Sequence, residues 1–89
     1  MKSILFYWSK GAEMRVRILF EINKSNNSNK PCYLNLLSKK IGLTHAAVKK
    51  HLDLLVEENY IKEINPNGKP VYLELSRKGL EVLNEFNKK

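Results

Sequence analysis

At Asn59 the hydrophobic period of this chain changes from that of a helix to that of a strand, and few folds accommodate the change where it falls. Before it, Val48, Leu52, Leu55 and Val56 recur at i, i+4, i+7 and i+8, the apolar face of a helix predicted from Thr44 to about Glu58. After it, "YIKEIN" and "PVYLEL" alternate, with Val71, Leu73 and Leu75 on one side and Tyr72 and Glu74 on the other. The intervening "PNGK" places Asn67-Gly68 where a tight hairpin needs positive φ.

The flanking segments supply the remaining elements. "KGAEMRVRILFEINK" carries Ile18, Leu19 and Ile22 at helical spacing, and Val16 and Phe20 widen the stripe onto a second face. Residues Asn23 to Pro31, "NKSNNSNKP", are polar and end in proline, so a loop is expected there. "CYLNLLSKKIGL" sets Leu34, Leu37 and Ile41 on one helical face, with Gly42 just past the end. Thr44 then has the chemistry of an N-cap, because its hydroxyl oxygen accepts an otherwise unpaired N–H in the first turn. Ser76 has the same chemistry ahead of a last helix, "SRKGLEVLNEFNKK". The expected order is three helices, a two-stranded hairpin and a helix: mainly α with a small antiparallel β-hairpin, in one domain covering residues 10–89. Residues 1–9 form an apolar segment of unclear period, read as a short strand or a helical turn and assigned to a dimer interface.

At 89 residues and 43% hydrophobic content, a chain of this kind buries a modest core, so apolar residues beyond its needs point to self-association. The formal charge of +7 favours an anionic partner, nucleic acid before membrane. No stretch reaches the ~18 apolar residues of a membrane span, and "MKSILFYW" is too short for a secretory signal, so an intracellular location is expected. Cys32 is the single cysteine. It reads as a reduced, small apolar residue, with a disulfide between two copies left open. His45 and His51 lie on different faces of one predicted helix, and no thiolate cluster, nucleophile–base arrangement or phosphate-cradling glycine loop is present. No cofactor, metal or enzymatic activity is therefore expected.

A short helix, a glycine-containing turn and a capped second helix form a helix-turn-helix pattern, and a hairpin follows it at once. With "EMRVRILFEI", "LLSKKIGLTHAAVKKHLDLLVEENYIKEI" and "NGKPVYLELSRKGLEVL", the chain resembles winged helix-turn-helix transcription regulators of the ArsR and MarR types over residues 11–83. The resemblance implies a winged-helix fold and binding to double-stranded DNA.

The helix after Thr44 fits that role physically. A helix reads base edges in a groove ~12 Å wide only if its leading face is slim. Ala46 and Ala47 provide the low profile, and Thr44 and His45 stand at the positive end of the helix dipole. Lys49 and Lys50 reach phosphates or guanine acceptors, whereas Asp53, Glu57 and Glu58 sit at the far end. Lys39 and Lys40 on the preceding helix, and Asn67 and Lys69 in the wing with Asn65 beside them, complete the expected DNA contacts. Phe6, Trp8, Phe20, Val82 and Phe86 are expected at a homodimer interface. The resulting function is a dimeric, sequence-specific regulator, expected to repress by occluding a promoter. The alternative is a winged helix that docks protein in a transcription or replication complex, which the net charge of −1 over residues 44–58 and the neutral hairpin keep open.

Overall fold

The computed structural model describes residues 5–7 and 10–87. Its elements are α1 (Ala12–Asn27), α2 (Leu34–Ile41), α3 (His45–Glu57), β1 (Ile61–Glu63), β2 (Leu73–Leu75) and α4 (Arg77–Asn87). The strands are antiparallel, with Ile61 opposite Leu75 and Glu63 opposite Leu73. Helix α1 lies at the centre, packed on α2, α4 and β2, while α3 packs on α2 and β1.

Each periodic residue set turns inward as expected. Ile18, Leu19 and Ile22 of α1, Leu37 of α2, and Val48 and Leu55 of α3 are fully buried and meet in one core. The two halves of the helix-turn-helix are held by Gly42 and Ser38. Gly42 adopts φ 80, a left-handed conformation that L side chains resist, and its N–H bonds to Ser38 O at 2.9 Å. The buried Ser38 hydroxyl also donates to Leu43 O, so one side chain closes the turn. Thr44 Oγ1 accepts from Ala47 N–H at 3.2 Å, the predicted N-cap. At its other end α3 stops at Asn59, φ 65, where Tyr60 N–H bonds back to Leu55 O at 2.8 Å.

Two local expectations are corrected. The polar segment read as loop from Asn23 is helical through Asn27. Ser25 is buried in the extra turn, and Asn26 bonds to β2, so tertiary contacts override the weak helix propensity of asparagine and serine. The hairpin tip is also not a two-residue positive-φ turn: Asn29, Asn59, Gly11 and Gly42 hold the positive φ values among the described residues. The loop is instead organised by Asn65, whose amide donates to Pro70 O at 3.2 Å and accepts from Tyr72 N–H at 2.7 Å. Gly68 is needed for space, because a Cβ there would stand 2.0 Å from Asn65 Nδ2.

The described part of the N-terminal segment folds onto the domain. Phe6, expected at an interface, is 3% exposed and meets Tyr60 edge-on at 4.8 Å. Tyr7 stacks on Phe86 at 5.2 Å. Val82, expected at the same interface, belongs to the chain's own core. Phe6 and Val82 thus join the buried core cluster, and Tyr7 packs against it. Trp8 lies outside the described residues.

Candidate nucleic-acid interface

The N-terminal half of α3 presents Thr44, His45, Ala46, Lys49 and Lys50 to solvent, with Ala47 half-buried. Val48, Leu52 and Leu55 hold the opposite face in the core, so the exposed face is fixed in direction by apolar packing. No acidic residue stands in the first turn of α3, although a helix N-terminus ordinarily favours one. The positive end of the dipole is left unneutralised beside two alanines.

The predicted cations are not equally free. Lys49 Nζ lies 3.1 Å from Asp53 Oδ1, one helical turn away, with both side chains more than 60% exposed. Such a pair contributes about 0.3–0.5 kcal/mol, so it yields easily to a phosphate. Lys40 Nζ lies 3.9 Å from Glu21 on α1, a loose contact. Lys39, Lys50 and Lys69 are exposed. In the hairpin loop Asn67 is exposed, but Asn65 uses both its amide groups inside the loop and is a structural residue there. Between the hairpin and α2–α3 runs a groove of about 790 Å³, bordered by Leu34, Lys49, Val56, Lys69 and Tyr72. The groove thus separates the loop from the Lys49–Asp53 side of α3.

The helix-turn-helix followed by a hairpin, with the exposed helix face beside the hairpin loop, matches solved structures. A Cys-to-Ser mutant of Escherichia coli MarR complexed with operator DNA superposes with a TM-score of 0.69 at 20% identity, over 81% of this chain and 50% of that one. The chain has a MarR-type winged-helix fold. A Cys-to-Ser mutant of Lactococcus lactis ZitR superposes with a TM-score of 0.68 at 22% identity, over 94% of this chain and 58% of that one. The chain thus spans 50% and 58% of the length of these two proteins. No family model and no curated protein matches the sequence. In winged-helix terms α3 is the second helix of the helix-turn-helix, and the β1–β2 hairpin with its loop is the wing.

Two buried or half-buried titratable groups, His51 and Cys32, depart from their ordinary pKa values. His51, in the middle of α3, is half-buried, and its Nδ1 has no hydrogen-bond partner among the described residues. Burial first, then the neighbouring Arg15 and Lys50 charges, hold its pKa below 6.5. The unfolded chain therefore binds a proton more readily than the folded one. Stability contributed by the neutral imidazole is complete above pH 6.5 and declines as pH falls through the lower folded value. The urea midpoint is expected to be level between about pH 8 and 7 and lower near pH 5.5, with His51→Gln flattening that change. Equal midpoints for the unmodified protein across that interval would remove the argument.

Cys32 is 1% exposed, and burial raises its thiol pKa, with a hydrogen bond from Ser25 and the charge of Lys40 opposing the shift. A cross-subunit disulfide requires a sulfur at the surface, and the fold directs this one into the core. Among the described residues no group of three His, Cys, Asp or Glu side chains is placed to hold a metal ion. No helix of the described residues is long and apolar enough to cross a membrane.

Proposed function

We propose that this protein is an intracellular, sequence-specific double-stranded-DNA-binding regulator that acts as a homodimer and represses transcription by occupying a promoter. The observation that carries the reading is the uncovered N-terminal half of α3. Thr44, His45, Ala46, Lys49 and Lys50 are all exposed, at a helix end free of acidic residues, beside a wing carrying exposed Lys69. In this reading Thr44 and His45 bond base edges or phosphate, and the alanines let the backbone approach the bases. Lys39, Lys40, Lys49, Lys50 and Lys69, with Asn67, engage the phosphates. The MarR neighbour's operator complex supports the same use of the fold.

Dimerisation is supported by Phe20 at 38% exposure and Leu80 at 42%, apolar side chains on the α1–α4 layer that the domain's own core leaves uncovered. Phe86 and Val16 are half-buried beside that layer. A two-fold pairing places the recognition helices in successive major grooves, ~34–36 Å apart.

Selection of bound sequences from a random duplex pool tests the reading, and a palindromic motif is the expected result. Lys49→Ala should weaken binding, while His45→Ala should change base preference. Asp53→Asn should tighten binding severalfold at low salt, because it frees Lys49 and removes a charge that repels phosphate. Fluorescence anisotropy reads each change; Asp53→Asn binding no tighter than the parent protein would place Lys49 away from the DNA. The rival reading, a protein-docking winged helix, draws on the Lys49–Asp53 pair and the neutral wing. Absence of even micromolar binding to random duplex at low salt would favour it.

A further inference from the structure

We propose that Asn26 is a positioning residue for the wing: its amide acts as a one-residue third strand on the outer edge of β2 and sets the wing's pose from helix α1. This rests on the DNA-binding reading above for its consequence, though not for its geometry.

The hydrogen bonds identify which backbone groups of β2 face away from β1. Ile64 N–H bonds to Tyr72 O and Ser76 N–H to Tyr60 O, so the alternate residues Tyr72, Glu74 and Ser76 direct their backbone toward β1. Leu73 and Leu75 therefore direct theirs outward. All the outward bonds seen there lead to two residues. Leu73 N–H donates to Cys32 O at 2.8 Å. Asn26 Nδ2 donates to Leu73 O at 3.3 Å, and Asn26 Oδ1 accepts from Leu75 N–H at 3.1 Å.

A carboxamide carries one acceptor and one donating nitrogen on a single plane, the same pair that a strand's peptide offers. Alanine has neither, and an ionised aspartate lacks the donor. The extra turn of α1 brings Asn26 to this edge, and the chain leaves the helix immediately afterwards at Asn29, φ 55. Side chain and strand are 47 and 49 residues apart in sequence, so the bonds tie the central helix to the wing root. Helix α3 packs on β1 at the wing root and the loop beyond borders a groove, so the root contacts, Asn26 among them, decide where the loop stands. Lys69 at the loop then reaches phosphate only when the root is in register.

The test compares Asn26→Ala, Asn26→Asp, Lys69→Ala and the Asn26→Ala/Lys69→Ala double variant with the parent chain. Anisotropy across a salt series on one duplex should show Lys69→Ala lowering the slope of log K against log salt by about 0.9, one phosphate contact. Asn26→Ala should lower it by a similar amount, and the double variant should match Lys69→Ala alone. A role in stability only would leave the slope unchanged. In parallel, amide exchange on the free protein should accelerate roughly tenfold at Leu73, Leu75, Ile64 and Tyr72, with α3 core amides nearly unchanged. Equal acceleration of wing and α3 amides, or additive slopes in the double variant, would overturn the proposal. If Asn26→Ala does not fold, Asn26→Asp takes its place, since it keeps the Leu75 contact and loses only the donor. If the parent chain does not bind duplex at all, the DNA-binding reading falls and the exchange pattern alone decides the clamp.

Discussion

Replacing Gly79 by alanine is expected to lower the stability of the domain by about 3 kcal/mol and its Tm by roughly 15 °C. Gly79 is buried in the first turn of α4, where a Cβ would stand 2.3 Å from Tyr60 O. That carbonyl is not free to retreat. It accepts from Ser76 N–H at 3.1 Å and shares the Ser76 hydroxyl proton, at 2.9 Å, with Asn59 O at 2.6 Å, and Gly79 N–H in turn bonds to Ser76 Oγ at 3.1 Å. Making room for one methyl therefore disrupts the junction that joins the end of α3, the start of β1 and the cap of α4. Overpacking costs about 1–3 kcal/mol, and each strained hydrogen bond about 1 more. The better helix propensity of alanine returns about 1 kcal/mol, too little to change the sign. Thermal unfolding followed by circular dichroism measures the effect. A Tm within about 3 °C of the parent would mean that the junction relaxes freely.

The second large effect concerns DNA and leaves stability untouched. Ala46→Glu is expected to weaken duplex binding by at least 100-fold at low salt, with a stability change within about 0.5 kcal/mol. Ala46 is exposed, so the folded chain accepts a longer side chain, and a carboxylate in the first turn even suits the helix dipole. In a groove the same carboxylate meets acceptor-rich base edges and two phosphate ribbons, and its length lifts the helix away from the bases. Ala46→Lys separates size from charge: it should lose sequence discrimination and retain nonspecific affinity. Parent-like anisotropy curves for Ala46→Glu would place the DNA elsewhere on the domain.

These two variants mark how differently fold and site were encoded. Helix α3 was legible because its signals are local: Val48, Leu52 and Leu55 inside, Thr44 at the cap and Gly42 in the turn each depend on residues within a turn or two. The candidate surface followed from the same face assignment, and the exposed positions of Thr44, His45, Ala46, Lys49 and Lys50 agree with it. The wing was legible as alternation, but its tip was not. "PNGK" resembles a tight turn, yet Asn65 closes a longer loop by bonding to Pro70 and Tyr72, and Gly68 makes room for it. The pairing of Lys49 with Asp53 is a spacing that sequence permits, whereas its formation depends on the rotamers of two exposed side chains.

By itself the sequence determined the order of elements, the inward faces of α1 to α3, the helix-turn-helix caps and a basic balance of charge. Periodicity and capping act over a few residues and survive in almost any surroundings. Tertiary structure alone decided that Phe6 and Val82 complete the core, that α1 continues through an asparagine-rich stretch, and that Asn26 reaches β2. Those outcomes depend on groups dozens of residues apart whose hydrogen bonds and apolar contacts exist only once the chain has closed around α1.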